Sequence, residues 1–275
     1  MCRLHKLKKY HIMNRITVIF LAIFCVLFFN SCETLKQIVK DYDLDPTQSG
    51  KLTEREVIEG LKSALEVGTK AGVDQLAATN GYLRDEAVKI LLPSELQSAI
   101  SQLKSTSAGR KVYDELIKDI EADMVVSLNR AAEKAVVKAK PIFVNAITSM
   151  TVQDGFGILR GSDNAATSYL RNKTFNQLVN AFKPEIKNVL DDPIVYNKSS
   201  EQLYSSFVKI CNEVERNDII NALKLDPINE KDLASFVTER ALDGMFQKIA
   251  LKEKDIRENP SARINDILKK VFAQQ

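Results

Sequence analysis

The stretch VVSLNRAAEKAVVKAKPIFVNA at 125–146 decides the fold, because its apolar residues recur every three or four positions. That spacing places them on one face of an α-helix, and such a face is buried against other helices. Several of these positions are alanine, whose small side chain lets a neighbouring helix approach closely. Pro141 lacks a backbone N–H, so it must either bend this helix or begin a new one. The face consists of Val125, Leu128, Ala132, Ala135, Ala139 and Phe143, with Val136 and Ala146 beside it.

Similar patterns continue on both sides of this stretch. The chain has 10 Gly in 275 residues, and no segment alternates apolar and polar residues between hairpin turns. Thr53 and Glu56 form a capping box that begins one helix, and Pro184 is expected to interrupt another. Further helix starts are expected at Pro93, Asn164, Ser199 or Ser200, Asn229 and Pro260. We predict an all-α fold, a multi-helix bundle of roughly ten helices.

Residues 1–31 have the composition of an export signal. They carry five basic residues and no acidic residue, and they include the uncharged run ITVIFLAIFCVLFF at 16–29. A basic start, a short apolar run and a small residue before the cut are typical of a cleaved signal peptide. The run is shorter than the roughly 20 residues that a membrane-spanning helix needs. Translation from Met13 instead of Met1 would leave a compact version of the same signal.

The last residues of this signal resemble the lipobox of bacterial lipoproteins, in which a cysteine is acylated and becomes the first residue of the mature chain. Ser31 and Cys32 carry the resemblance, although Phe29 and Asn30 differ from the usual pattern. Two or more acyl chains anchor a protein stably. We expect lipidation at Cys32 and a periplasm-facing lipoprotein of the bacterial envelope, in the outer rather than the inner membrane. Ordinary secretion and an uncleaved membrane anchor are the alternatives.

Loss of the signal changes which chemistry the chain can perform. The total of Lys and Arg falls from 39 to 34 while Asp and Glu stay at 36, so the net charge becomes about −2 and gives no electrostatic case for nucleic-acid binding. His5 and His11 leave with the signal, which excludes His-dependent triads and His-ligated zinc. We expect no metal and no cofactor. The predicted organisation is a signal peptide at 1–31, a lipidated N-terminus and tether at 32–52, and a single helical domain at 53–275.

Four ordered blocks resemble a bacterial family of unknown function, family 4197. The resemblance extends from Leu52 to Phe272. It implies a mostly helical, exported and often lipid-anchored domain with no assigned activity, and it supplies no catalytic residues. The blocks are LNRAAEKAV (128–136), PIFVNAITSMTVQD (141–154), GSDNAATSYL (161–170) and IRENPSARINDILKKVF (256–272).

A polar group interrupts the apolar pattern of the main helix. Asn129, Arg130 and Glu133 lie within about one helical turn, but Arg130 points to nearly the opposite face, so the three do not converge by themselves. Arg257 or Arg263 could complete a partly buried, hydrogen-bonded ion-pair network with them. The alternative is a polar ligand site, for example for a carboxylate or a phosphate.

Three other patterns fail the requirements of the sites that they suggest. The loop DYDLDPTQSGKL at 41–52 places Asp at positions one, three and five of a calcium loop, but Pro46 and Leu52 replace the required Gly and Glu. The sequence GFGILRG at 155–161 has the wrong spacing for a dinucleotide fingerprint. Cys211 falls on the apolar face of a predicted helix, where a thiol behaves as a small apolar side chain.

Three functions remain open for the mature chain. The first is a non-enzymatic envelope module that binds a protein or serves structure, which the missing histidines and the small-residue helix faces favour. The second is a carrier of an apolar or amphipathic ligand, such as a lipid, between helices. The third is a hydrolase that works through carboxylates, although the spacing of Asp154, Asp191 and Asp192 selects no pair. The expected partners are a membrane, through the acyl chains, and an unidentified protein or small molecule.

Overall fold

The computed structural model of the chain describes residues 53–195, 197–214, 232–259 and 269. All of them belong to one unit that begins at Thr53. Several sequence predictions fall outside the described residues and are not addressed by the fold. These are the signal peptide, the lipidation of Cys32, the tether at 32–52 with its calcium-like loop, the helix after Pro260 and the position of Arg263.

Helix α1 (Glu54–Ala77) begins at the predicted capping box. The backbone N–H of Thr53 donates to Glu56 Oε2 at 2.7 Å, and the N–H of Glu56 donates to Thr53 Oγ1 at 3.3 Å. A turn follows at Asn80, whose φ of 70° lies in the left-handed region that Asn tolerates. An extended segment at 88–92 then leads to α2 (Ser94–Lys104), which begins after Pro93 as predicted.

The main helical pattern forms one continuous path from 107 to 148. Its winding changes twice, at a π-helical segment and at a 3-10 turn. Pro141 is the third residue of the helix after the 3-10 turn; because proline cannot donate to the carbonyl four residues earlier, the chain tightens just before it. Pro141 therefore lies in the first turn of a new helical segment, and the path is not broken. The path consists of α3 (Ser107–Val112), the π segment (Tyr113–Ile117), α4 (Lys118–Ala135), the 3-10 turn (Val136–Lys138) and α5 (Ala139–Thr148).

Two helices follow, of which the second contradicts the prediction for Pro184. Helix α6 (Val152–Leu159) begins at a capping box of Thr151 and Asp154. Helix α7 (Ala165–Leu190) contains Pro184 but continues through it. The apolar face of α7 stays buried on both sides of the proline, at Phe182, Ile186 and Leu190. Burial of these side chains offsets the roughly 3 kcal/mol that a proline costs inside a helix.

A small hairpin separates α7 from helices α8 and α9. Strand β1 (Pro193–Val195) pairs antiparallel with β2 (Lys198–Ser199). Helix α8 (Ser200–Val214) begins after Ser199, whose Oγ accepts the N–H of Gln202 at 3.2 Å. Helix α9 (Leu233–Glu258) begins at Asp232, which accepts the N–H of Ser235 at 2.7 Å, so the cap of this helix lies three residues after the predicted Asn229.

The fold of the described residues is mostly helical, as predicted, but its helices are fewer and longer. They form seven continuous helical segments rather than roughly ten, because the path from 107 to 148 runs without a break. Helix α7 packs against both α4 and α9, and these are the two most extensive helix–helix contacts of the described residues. The predicted apolar face is confirmed in the core: Leu128, Ala132, Ala135, Ala139 and Phe143 are at most 1% exposed.

Candidate functional site

Asn129 lies on α4 with its side chain fully buried, where it binds the extended segment 88–92. Its Oδ1 accepts the N–H of Ile90 at 2.9 Å, and its Nδ2 donates to the carbonyls of Ile90 at 2.8 Å and Val125 at 2.7 Å. Both backbone groups of Ile90 are thus paired as a neighbouring strand would pair them. The amide of Asn129 is occupied by the backbone and is not offered to a ligand.

Glu133 lies one helical turn after Asn129 and binds the loop that follows α1. Its Oε1 accepts the backbone N–H of Tyr82 at 3.2 Å and that of Leu83 at 3.3 Å. Its Oε2 pairs with Arg130, and Arg130 Nη2 also donates to Asn80 Oδ1 at 2.8 Å. Arg130 and Glu133 therefore bind each other and the loop at 80–83, whereas Asn129 binds Ile90 and Val125 separately. Glu133 pairs with Arg130 rather than with the predicted Arg257, and the loop backbone supplies its remaining partners.

Tyr82 connects this loop to helix α9. The side chain is fully buried, and its hydroxyl donates to the carbonyl of Ala241 on α9 at 2.9 Å. Burial raises the pKa of the Tyr82 phenol far above its usual range, and the negative charge of Glu133 raises it further. Gly244 leaves room for the ring, because a Cβ there would lie 3.3 Å from Tyr82 Cε1. This part of the molecule is a structural joint between the loop and helices α4 and α9.

Arg257 belongs to a second ion pair, although the sequence prediction placed it with Asn129 and Glu133. Its Nε and Nη2 donate to Glu253 Oε1 at 3.1 and 2.9 Å, and Nη2 also donates to the carbonyl of Ile158 at 2.8 Å. The side chains of Arg257 and Glu253 are 10% and 8% exposed. The two residues are four apart on α9, a spacing that brings side chains together on one helix face. Arg257 is therefore paired within its own helix.

Glu253 also caps another helix. Its carboxylate accepts the N–H of Ala166 at 2.9 Å, the N–H of Thr167 at 2.8 Å and the hydroxyl of Thr167 at 2.8 Å. These amides begin α7, where Asn164 occupies the capping position but makes no capping bond with its side chain. The first amides of a helix need acceptors and carry partial positive charge, so the carboxylate of α9 satisfies both needs. Sequence reasoning missed this contact because the cap comes from a distant helix.

Beside this second ion pair, an apolar groove opens between α1, α6, α7 and α9. Its volume is about 50 Å³, and it is partly open to solvent. Three small residues, Ala64, Gly68 and Ala166, line the groove and leave space in it. A Cβ on Gly68 would have no atom of another part of the protein within 4 Å. Glu253 and Arg257 form the polar part of the wall. The larger apolar side chains that line the groove are Leu61, Leu65, Ile158, Ile249 and Ile256.

A wider depression lies beside the hairpin and α8. Its volume is about 670 Å³, it is open to solvent, and polar residues such as Asp191, Lys198 and Gln202 line it. Burial raises the pKa of the Glu201 carboxyl, and the charge of Asp232 raises it further. Asp191 is paired with the exposed Lys187 at 2.9 Å. Since removal of apolar surface from water supplies most binding energy, the smaller apolar groove is the better candidate site.

The remaining predicted candidates have structural roles or lie outside the description. Asp154 caps α6, and its hydrogen bonds from Thr151 lower the pKa of its carboxyl. Gly155 packs against Ile58, since a Cβ on it would lie 2.3 Å from Ile58 Cδ1. Cys211 falls within α8, but its side chain is not among the described ones. The described residues contain no group of three or more His, Cys, Asp and Glu side chains that could hold a metal ion.

Two buried carboxylates, Glu133 and Glu253, are present in the described part of the chain. Each is paired with an arginine and accepts backbone N–H groups of another segment. A hydrolytic pair would need one carboxylic acid to hold a proton while the other stays ionised. Here both carboxylates bind arginine and backbone N–H groups of the fold.

Among the described residues, none of the helices has an apolar stretch of the length that a membrane span requires.

Comparison with known proteins gives one match. The sequence profile of a family described as "Protein of unknown function (DUF4197)" matches residues 51–273. The matched range includes all the helices described above and both ion pairs. Neither the curated proteins nor the solved structures contain a match to the chain.

Proposed function

The chain belongs to the DUF4197 family of unknown function, and we propose that it is a lipoprotein of the bacterial envelope, anchored through Cys32, whose helical domain binds a helix of another protein. The groove between α1, α6, α7 and α9 carries the proposal for the domain. The basic and apolar sequence of residues 1–31, followed by Ser31-Cys32, supports the anchor.

The size of the groove favours a protein partner over a carried lipid. Cavities that enclose a small-molecule ligand usually measure about 300–1,000 Å³, whereas the groove measures about 50 Å³. An apolar cavity of about 150 Å³ accommodates benzene. The groove therefore has room for one branched aliphatic side chain and not for an acyl chain.

The walls of the groove suit an apposed helix. Ala64 and Gly68 are four residues apart on α1, so they lie on one face and let a second backbone approach. An aliphatic side chain of that helix would enter the groove as a knob enters a hole between neighbouring side chains. Recognition of an amphipathic helix in an apolar groove is a recurring mode of protein binding.

The test uses a photo-crosslinking amino acid at Lys252, a groove residue whose side chain is 51% exposed. Intact cells are irradiated, and crosslinked proteins are identified by mass spectrometry. Gly68→Leu fills the groove and should remove the specific product. Gly157→Leu is the matched control, because Gly157 also faces open space on a helix but does not line the groove. A product that survives Gly68→Leu, or no product from Lys252, would count against a groove-bound partner.

A further inference from the structure

We propose that a second copy of this chain binds to one exposed face of α3 and the π segment, which we call the 111–116 face. The face is formed by Lys111, Val112, Glu115 and Leu116 and pairs antiparallel with the same face of the other copy. This inference goes beyond the proposed function, because none of these residues lines the groove and none belongs to the anchor.

The segment that carries the 111–116 face packs against the rest of the molecule on one side. The half-buried Tyr113 and Ile117 lie against the main core, and no residue of the π segment is fully buried. Within the described residues, α3 and the π segment contact mainly α2 and α4, their neighbours in the chain. The opposite side of the segment is therefore open to a partner.

Two large apolar side chains occupy the open side. Val112 is 43% exposed and Leu116 is 60% exposed, which is more than any other large apolar side chain of the described residues. The two residues are four apart, so they lie next to each other on one helix face. Single exposed apolar residues are common on monomers. Two adjacent ones form a surface whose removal from water is favourable.

Opposite charges flank this apolar pair. Lys111 comes directly before Val112, and Glu115 comes directly before Leu116. Because the same order repeats after four residues, the two charged side chains lie on the same flank of the apolar pair. Lys111 and Glu115 are exposed, and neither belongs to an ion pair in the described part of the chain. Both charges can therefore pair with a partner.

The 111–116 face is complementary to itself. In a twofold dimer, a contact between residue i of one copy and residue j of the other occurs twice. If the axis passes beside Asp114, antiparallel pairing places Val112 of each copy opposite Leu116 of the other. Lys111 then lies on the same flank as Glu115 of the other copy, and their backbone positions differ by about 3 Å along the helix axis. Charges that flank an apolar seam in this way determine the partner and the orientation of paired helices.

Other arrangements fit the 111–116 face less well. Parallel pairing of two copies would bring Lys111 next to Lys111 and Glu115 next to Glu115, and like charges repel. An anionic lipid surface would attract Lys111 but repel Glu115. The antiparallel second copy satisfies the apolar pair and both charges at once.

A disulfide between two differently tagged copies tests the contact. One copy carries Val112→Cys and the other carries Leu116→Cys, both with Cys211→Ser. Intact cells are treated with diamide, a thiol oxidant that enters every compartment, so the result does not depend on export. A disulfide needs Cα atoms within about 7 Å of each other. Because the face is small, this covalent trapping suits it better than purification of a dimer.

Peptide mass spectrometry should show several-fold more linkage between positions 112 and 116 than in a matched control. In the control, the first copy carries Val144→Cys instead of Val112→Cys. Val144 lies on α5 and is 40% exposed, so its thiol would be about as accessible as one at Val112. Equal linkage in the two experiments would overturn the inference, and so would disulfides that join the face to a different protein instead of a second copy.

Charge reversal tests the orientation of the two copies. Lys111→Glu alone or Glu115→Lys alone should lower the linkage between 112 and 116 several-fold, because each places like charges on both halves of the contact. The two substitutions together restore opposite charges and should return the linkage to nearly its original yield. Lys134→Glu, which reverses an exposed lysine of α4, is the control and should leave the yield unchanged.

Single reversals that leave the linkage unchanged, or a double reversal that stays as low as the single ones, would refute the antiparallel contact. The outcome is independent of the proposed function. Gly68→Leu and Cys32→Ser alter the groove and the anchor, and neither residue belongs to the 111–116 face. Loss of the disulfide would leave the crosslink at Lys252 unaffected, and loss of that crosslink would leave the disulfide in place.

Discussion

At the scale of single residues, Asn129 serves both backbone polar groups of Ile90 from the interior of α4. Asn129→Ala should destabilise the protein by about 3 kcal/mol, because it leaves two buried backbone groups without partners and each costs about 1–3 kcal/mol. Urea unfolding measures this loss. Asn145→Ala, an exposed asparagine on α5, should change the stability by less than about 0.5 kcal/mol. Similar losses of stability in the two variants would contradict the role of Asn129 in pairing the backbone of Ile90.

Tyr82 gives the stability a dependence on alkaline pH. The pKa of the buried phenol is raised above the value of 10.0 that it has in the unfolded chain, so the folded state retains the proton longer. The stabilisation is complete below pH 10 and is lost as the pH rises above it, by up to about 1.4 kcal/mol per pH unit. Tyr82→Phe should cost about 1–2 kcal/mol at pH 8, because the Ala241 carbonyl loses its donor.

Above pH 10, the same variant should lose stability less steeply than the natural protein, because the ionising group is gone. Urea unfolding at pH 8 and at several values above pH 10 separates the two effects. Parallel losses of stability in both proteins would show that the ionisation of Tyr82 does not contribute.

Sequence reasoning finds the polar side chains of the joint but not their partners. Asn129, Arg130 and Glu133 stand out because they interrupt an apolar helix face. Their acceptors and donors are backbone groups of a loop, 39 residues from Asn129 at Ile90 and 51 residues from Glu133 at Tyr82. Backbone groups carry no residue-specific signal, so no motif could identify them.

At the scale of helices, α9 contains two ion pairs between residues four apart, one of them buried and the other exposed. Glu253 and Arg257 are buried and cap α7, whereas Lys254 and Glu258 are 54% and 60% exposed. Glu253→Ala should destabilise the protein by about 3–5 kcal/mol, because it leaves the Arg257 charge buried and the first amides of α7 without their acceptor. Lys254→Ala should cost less than about 1 kcal/mol. Thermal or urea unfolding compares them, and equal costs would refute the role of Glu253 as a cap.

The local signals of the helices were informative where a chemical group near the helix end determined the structure. The capping box at Thr53, the start after Pro93 and the turn at Asn80 all follow from such groups. The prediction was wrong where distant packing overrides the local signal, as at Pro184, whose helix is held by its buried face. The continuity from 107 to 148 was missed for a similar reason, since its two changes of winding are tolerated by the packing of α4 against α7.

At the scale of the whole molecule, the proposed anchor would determine where the helical domain acts. Cells grown with labelled palmitate should incorporate the label into the natural chain, and Cys32→Ser should abolish it, because the proposal assigns acylation to this residue. After cell fractionation, the natural mature protein should be found in the membrane fraction, and mature Cys32→Ser should be absent from it. Cys211→Ser is the matched control and should remain labelled. Label that persists in Cys32→Ser would contradict lipidation at this residue.

The groove could not be predicted from the sequence, because four helices that are distant in the chain form its walls. Periodicity shows that Leu61, Ile249 and Ile256 face inward, but it does not show where the packing leaves space. The sequence does show that the described residues contain no histidine. Their two buried carboxylates, Glu133 and Glu253, are each paired with an arginine.

The carboxylate of Glu253 lies 87 residues after the first amide of α7 that it binds. A ribosome therefore releases α7 long before it makes α9. During that interval the amides of Ala166 and Thr167 lack the carboxylate that they bind in the folded chain, and the wall of the groove formed by α9 does not yet exist. Assembly of this part of the domain must wait until Glu253 has been made. A chain interrupted before Glu253 should consequently be degraded by proteases that attack the unprotected start of α7.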